Sequence, residues 1–413
     1  MKETLKDYYA STMLIEGGKK IQASTSANNA AGNHDKPPDP EFEELKLQYR
    51  SMLHSRSIPY PVAYKFIKEL GHGRQGVVFL SQRYGARGCI TNHATKLFDP
   101  SIYSTSAKYW TDMGRIAKQI SMLQPINNIN LISGDFYDEC SGIGYIHMQA
   151  VDGVDLQFLL DGKHIEMARN RSSDEEWASF IRTLFNLNNG KVSIKAGAAV
   201  FILRNVLRGL SGLHEHGFIH GDIKPTNVMI DIQGTVKLVD LGRAVRIGEH
   251  VNILLGSPLF MAPEMHRREA SYEPSDLFST GLLALELLKS RQLADMANNN
   301  ENELLDFKIE LARNLEKYIP SDALNNIELI RSLRKFLEPS IPERFQSVRE
   351  AENGEHGLAE VRQWMTDEER ETEYERQFEH YLSKLVDPET GTLNPHFASD
   401  NLTAAINILE ANL

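Results

Sequence analysis

The run His220-Gly221-Asp222-Ile223-Lys224-Pro225-Thr226-Asn227 sets an acid, a lysine and an amide in one tight loop, and Asp240-Leu241-Gly242 brings back a second acid after a stretch that reads as a hairpin. This spacing suits phosphoryl transfer. The reaction needs metal ions to neutralise phosphate charge and a carboxylate close to the attacking hydroxyl. In such a site Asp222 orients the hydroxyl and accepts its proton, Asn227 and Asp240 hold magnesium, and Lys224 steadies the transferring phosphate.

These residues resemble the catalytic and metal loops of the protein kinases. There the first loop reads His-Arg-Asp with a lysine and an asparagine downstream, and the second reads Asp-Phe-Gly. The chain keeps the His, Asp, Lys, Asn, Asp and Gly and departs at Gly221, where many kinases carry Arg, and at Leu241, where Phe is usual. Lys224 places the resemblance in the serine/threonine branch. The resemblance implies an α+β, bilobal fold, with a small β-rich lobe, a large helical lobe, ATP and Mg2+ as ligands, and a protein substrate.

Upstream, Gly71-His72-Gly73-Arg74-Gln75-Gly76-Val77-Val78 fits a glycine-rich turn between two strands. Glycines let backbone approach phosphates closely. A dinucleotide-binding loop shares the motif but leads into a helix; the apolar, β-branched residues after Gly76 favour a second strand instead. A third strand carries Ala94-Thr95-Lys96, and the order of glycine turn and strand lysine marks Lys96 as the phosphate-contacting lysine. By the same resemblance Val78 and Ala94 line the adenine pocket from above and Met229 from below. Met148 guards its back, backbone groups of Gln149 and Val151 meet the adenine edge, and Asp155 accepts from the ribose or caps a helix. The place of the usual helix glutamate falls on Gln119. A glutamine can hydrogen-bond the Lys96 ammonium, worth about 1.5–3 kcal/mol, but cannot neutralise it. Asp112 lies about two turns earlier, too far to substitute.

Gly256-Ser257-Pro258-Leu259-Phe260-Met261-Ala262-Pro263-Glu264 is similar to the end of a kinase activation segment, with Ser257 as the substrate-docking hydroxyl. Structural roles follow for Glu264 paired with Arg344, and for Asp276 as buttress of the catalytic loop. Residues 243–255 contain no Ser, Thr or Tyr. Phosphorylation orders such segments by pairing new charge with arginines; this chain lacks both the acceptor and, at Gly221, an arginine. The segment is therefore expected to order by packing of Val251, Ile253, Leu254 and Leu255, or through a partner.

The chain has 413 residues, 41% of them hydrophobic, enough for one large two-lobed domain with appendages. Residues 1–61 read as an N-terminal extension, partly flexible, with a short amphipathic helix within 1–22, a flexible linker over 23–40 and a helical segment from Glu41 to Ser55 that either packs beside the small lobe, the favoured reading, or stays mobile. The kinase-like domain spans about 62–350, with a small lobe over 62–148 and a large lobe over 152–350. Residues 157–195 form an insertion with one helix near Glu175–Leu187, and 351–413 a helical C-terminal extension. The insertion and extensions are candidate surfaces for a regulatory partner. The acidic run Asp367–Glu373 reads as a solvated helix face.

A net charge of −11 argues against non-specific binding to nucleic acid or anionic membrane. No apolar run reaches membrane-spanning length, so no insertion is expected. Cys89 and Cys140 make neither a disulfide framework nor a metal site, which fits a reducing, cytoplasmic setting. No secretory signal is visible at Met1-Lys2-Glu3-Thr4, and export by a signal-independent machine stays open. Two further functions share the fold: a nucleotide-binding pseudokinase scaffold, favoured by Gln119, and a nucleotidyl transferase.

Overall fold

The computed structural model describes residues 39–58, 64–73, 75–188, 190–249, 258–289, 293, 300–321, 323–388 and 391–393. The expected helix in 1–22, most of the expected linker over 23–40, Ser257 and the apolar residues Val251, Ile253, Leu254 and Leu255 lie outside them.

Helix α1 (Pro40–Ser55) opens the described chain. Asp39 caps it by accepting from the Phe42 amide, and Phe42, Leu45, Tyr49 and Met52 recur at helical spacing and are buried. Asp39 also accepts from Ser106 Oγ at 2.7 Å, which ties α1 to the small lobe. Strands β1 (Ser57–Ile58), β2 (Tyr64–Gly73), β3 (Gly76–Tyr84) and β4 (Ile90–Phe98) lead to helix α2 (Ser106–Leu123), followed by β5 (Gly134–Cys140) and β6 (Ile143–Gln149). The sheet runs β1-β2-β3-β4-β6-β5, antiparallel throughout. Its register sets Val78 opposite Lys96, Ala94 opposite Met148 and Lys96 opposite Ile146. These residues alternate by two, so they share one face of the sheet.

Strand β7 (Gly153–Asp155) begins the large lobe. The insertion holds three helices rather than one: α3 (Leu156–Asp161), α4 (Ile165–Asn170) and α5 (Asp174–Thr183). The expected helix near Glu175–Leu187 starts one residue earlier, after a Ser173–Glu176 capping box, and stops at Thr183. Beyond it Phe185–Asn188 is strand β8, paired with β9 (Lys191–Ile194). The Asn-Gly pair at 189–190 is a hairpin signal that competes with helical periodicity across this stretch.

Helix α6 (Ala196–His214) is long and apolar enough to cross a membrane by length and composition, but 72% of that window is buried within the protein. It is the core helix of the large lobe. Strands β10 (Phe218–Ile219), β11 (Val228–Asp231), β12 (Val236–Leu238) and β13 (Val245–Arg246) follow, then helices α7 (Pro263–His266), α8 (Glu273–Lys289), α9 (Glu301–Leu311), α10 (Ile327–Phe336) and α11 (Val348–Asn353). The C-terminal extension adds α12 (Leu358–Gln363), α13 (Asp367–Glu371) and α14 (Tyr374–Ser383). Helix α13 has no buried residue, as a solvated face requires.

The extension packs on the insertion. Glu176 of α5 accepts from Lys384 at 2.7 Å and meets His380 at 2.8 Å, and Arg171 donates to the carbonyls of Lys384 and Val386. His164 is wholly buried against Tyr381. Two segments far apart in sequence thus form one layer on the large lobe.

Candidate active site

The loop at 220–227 is held from beneath by one carboxylate. Asp276, at the start of α8, accepts from the amides of His220 at 2.7 Å and Gly221 at 2.8 Å. His214 Nε2 lies 2.9 Å from the same side chain. Gly221 sits at φ 72°, where a side chain is strained, and a Cβ there would come 3.3 Å from the Arg243 carbonyl. The buried Asp222 meets Lys224 Nζ at 2.9 Å. Asn227 Nδ2 donates to the carbonyl of Asp222 at 2.7 Å and to its carboxylate at 2.9 Å.

The second loop is joined to the first through the β11–β12 hairpin. Val228 pairs with Leu238, and the Val239 amide donates to the Asn227 carbonyl at 3.0 Å. Asp240 is the next residue, so the hairpin brings Asp222, Asn227 and Asp240 to one end. His220 Nε2 adds a 3.1 Å contact to the Val239 carbonyl. Asp240 adopts φ 60°, an uncommon left-handed conformation for a non-glycine residue.

Lys96 Nζ donates to Asp240 Oδ1 at 2.6 Å and to Gln75 Oε1 at 3.2 Å. Burial by itself would raise the Asp240 carboxyl; the adjacent Lys96 ammonium, with Arg243 and Lys224 beyond it, outweighs that and holds it well below the usual carboxylate range. Gln119 does not take up the bond to Lys96 that its place in α2 suggests. Its Nε2 donates to the Leu241 carbonyl and its Oε1 accepts from Arg115 at 3.0 Å. It therefore fastens helix α2 to the metal loop. Asp112 is engaged by Tyr103 at 2.6 Å and Arg115 at 2.8 Å.

Sequence reasoning passed over two residues. One is Gln75, within the glycine turn. The other is Arg243, whose Nη1 lies 3.3 Å from Asp222 Oδ1 with only 11% of the side chain exposed. The available signal was an arginine directly after Asp-Leu-Gly in a chain that lacks one before Asp222.

Around this centre stand the remaining candidates. Gly71 pairs with Val78 and Gly73 with Gly76 across the turn, and nothing lies within 4 Å of a Cβ built on Gly71 or Gly73. Ala94 and Met148 are buried, and Val78 is half-buried. The Gln149 amide donates to the Ser133 carbonyl at 3.1 Å, so of its backbone groups only the carbonyl could meet an adenine edge. Asp155 lies opposite Met229 across β7 and β11. It caps α3 by accepting from the Phe158 amide at 2.8 Å, and burial pushes its carboxyl up to about 6. The donor set suits the two expected ligands. Asp240, Asn227 and Asp222 offer hard oxygen atoms of the kind magnesium prefers. Lys96, Lys224 and Arg243 offer charge to phosphates.

The docking segment is anchored deep in the large lobe. Glu264 and Arg344 form a fully buried pair at 2.9 Å, and Ser275 Oγ donates to Glu264 at 2.7 Å. Removing one partner of such a pair costs about 3–5 kcal/mol, because the other is left charged and buried. Lys308 of α9, 1% exposed, donates to the carbonyls of Pro258 at 2.5 Å and Met261 at 2.7 Å and meets His266 Nε2 at 2.7 Å. Burial outweighs the opposing pull of the Glu264 charge and brings its ammonium down to about 7.

Comparison with known proteins agrees with this geometry. The family model described as protein kinase domain matches residues 64–351. The probable serine/threonine-protein kinase PknB of Lactococcus lactis subsp. lactis (strain IL1403) is 24% identical over 330 residues, 77% of this chain and 43% of that protein. Serine/threonine-protein kinase SMU1 of Mycosarcoma maydis is 38% identical over 96 residues, 22% of this chain and 13% of its own length. The probable serine/threonine-protein kinase mkcF of Dictyostelium discoideum is 44% identical over 92 residues, 21% of this chain and 13% of its own length. The chain thus spans less than half the length of these relatives.

Proposed function

The chain belongs to the protein kinase family, and from that premise we propose that it is an ATP-dependent serine/threonine kinase that phosphorylates protein hydroxyls without a phosphate on its own activation segment. One observation carries the reading: Asp222, Asn227, Asp240 and Lys96 converge at the open end of a single hairpin.

In this reading each side chain has a separate task. Asp222 accepts the hydrogen bond of the incoming hydroxyl and takes its proton as that oxygen bonds the γ-phosphorus and the bond from the γ-phosphorus to the bridging oxygen breaks, releasing ADP. Lys224, 2.9 Å from that carboxylate, lies close enough to share the charge of the transferring group. Asn227 turns its Nδ2 to Asp222, which leaves Oδ1 as the ligand atom for a cation shared with Asp240. Magnesium, when bound there, neutralises phosphate charge. Asp276 fixes the loop backbone, so Asp222 does not have to reorganise during transfer.

The independence from phosphorylation rests on backbone pairing. Strand β13 pairs with β10, the Ile247 amide donates to the Gly217 carbonyl at 3.0 Å, and the Gly248 amide to the Ser271 carbonyl at 2.8 Å. The start of the segment is ordered by these bonds, and residues 243–255 offer no hydroxyl to modify. A regulatory partner would meet the insertion and C-terminal extension as one continuous surface. Free Cys89 and Cys140 suit a reducing, cytoplasmic setting.

Two alternatives keep the fold. Gln119, bonded to Leu241 rather than Lys96, favours a nucleotide-binding scaffold; nucleotidyl transfer is the other. Incubation with position-labelled ATP and a protein mixture separates all three. Transfer of the terminal-phosphate label to Ser or Thr supports the kinase, transfer of α-phosphate label indicates nucleotidyl transfer, and no transfer with retained binding indicates the scaffold. Mass spectrometry of the active protein checks the second half of the proposal: a phosphate on residues 243–255 contradicts it, and activity abolished by phosphatase treatment replaces it with control by phosphorylation elsewhere.

A further inference from the structure

We propose that Gln75, in the glycine turn, orients Lys96 in place of the usual helix glutamate and presents its own amide N–H to a nucleotide phosphate. This rests on the kinase reading of the site. An ammonium cannot accept a hydrogen bond, so the 3.2 Å contact to Lys96 Nζ fixes which end of the Gln75 amide is oxygen. The nitrogen end is thereby turned away from Lys96. Nε2 is buried and has no hydrogen-bond partner among the described residues, although Gln75 is only 3% exposed. A buried donor without a partner costs about 1–3 kcal/mol. Its position explains why it persists: it lies beside the lysine that contacts phosphate, in a turn whose glycines leave room for one.

The backbone holds Gln75 in that place. Its carbonyl accepts from the Asp99 amide at 2.9 Å, clamping the turn onto the end of β4. Gly76 follows at φ 143°, and a Cβ there would lie 1.8 Å from the Leu97 carbonyl, so only glycine permits this approach. A Cβ built on Gly242 would meet Lys96 Nζ at 3.4 Å and Gln75 Oε1 at 3.9 Å, which shows how closely the glycine turn, the lysine and the metal loop gather. Gln119 is committed to Leu241 and Arg115. If Asp240 turns to a cation, Gln75 Oε1 remains as the Lys96 acceptor. Orientation of the lysine then depends on closure of the glycine turn, whereas a helix glutamate would make it depend on the helix.

Isothermal titration of the full chain tests this without reading activity. Gln75→Ala is expected to weaken MgATP about tenfold, one charge-assisted hydrogen bond's worth, while adenosine affinity stays within about twofold. In the double variant with Lys96→Ala the two losses are expected to be sub-additive, because Gln75 acts partly through Lys96. Equal weakening of adenosine and MgATP, or fully additive losses, would overturn the proposal in favour of a packing role. Unchanged MgATP affinity in Gln75→Ala would overturn it alone; a parent chain that binds no MgATP would overturn the kinase reading with it.

Discussion

Arg243 Nη1 lies 3.3 Å from Asp222 Oδ1, linking the residue after the metal loop to the candidate base of the catalytic loop. A guanidinium so placed restrains the carboxylate and adds a third cation to Lys96 and Lys224. Arg243→Ala is expected to lower kcat tenfold or more, since it removes the cation of a nearly buried ion pair with the candidate base. The KM for ATP is expected to rise less than kcat falls, and Arg243→Lys to recover part of the loss. Steady-state kinetics would show a purely structural role instead as a fall in soluble, folded protein with kcat unchanged.

Gly221 stands where many kinases carry arginine, and restoring that arginine is expected to harm the protein. The φ of 72° there is left-handed, and the Arg243 carbonyl is close. Gly221→Arg should cost about 1–2 kcal/mol of stability from the backbone alone. Denaturant unfolding would register this as a lower midpoint at unchanged slope. A gain in activity without loss of stability would contradict the reading that this backbone position requires glycine.

The support under the catalytic loop should depend on pH. Burial works against charge on His214, but its hydrogen bond to Asp276 and the nearby charges of Asp276 and Glu273 outweigh that and raise it to about 9. Asp276 is shifted the other way: burial would raise it, and His214, His220 and the Gly221 amide bring it below its ordinary value. A raised folded value stabilises fully below the ordinary histidine value near 6.5 and is lost as pH climbs through about 9. Stability is thus expected to fall between pH 6.5 and 9 by something on the order of 1–3 kcal/mol, and to fall again in acid as Asp276 is protonated. His214→Gln should flatten the alkaline limb; an unchanged limb would place its cause elsewhere.

Lys308 anchors the docking segment through the Pro258 and Met261 carbonyls. Lys308→Met keeps much of the volume but removes the ammonium donor from both carbonyls, leaving Pro258 with His266 Nε2 at 2.8 Å and Met261 without that donor. It is expected to lower kcat/KM for protein substrate about tenfold, corresponding to roughly 1–3 kcal/mol for a carbonyl that loses its donor, with nucleotide affinity unaltered. Weakened nucleotide binding in this variant would show that Lys308 supports the whole lobe rather than this segment.

Much of the molecule was legible from residue spacing. The two loops around Asp222 and Asp240, the glycine turn and Lys96 carry short-range constraints, so their order along the chain already specifies which strands meet. Helix α1 was readable from Phe42, Leu45, Tyr49 and Met52 at helical spacing. The insertion was harder. Its second half switches to a hairpin, although Leu184 and Leu187 continue the helical spacing of Trp177 and Phe180. The packing of Glu176 on His380 and Lys384 joins positions more than two hundred residues apart, which no local pattern records. Gln119 was placed correctly on its helix, but its partner depends on side-chain direction, and Leu241 won over Lys96. Arg243 and Gln75 escaped notice because each lies inside a motif whose other residues drew the reading.

The most direct test of the account is transfer of terminal-phosphate label from ATP to protein in a single turnover, with Asp222→Asn beside the parent chain and MgATP affinity measured for both. The expected result is transfer to serine or threonine by the parent chain, a loss of at least a hundredfold in Asp222→Asn, about the factor that general-base catalysis contributes, and similar affinity in the two. Equal transfer by both proteins, or none by a parent chain that binds MgATP, would contradict the central claim.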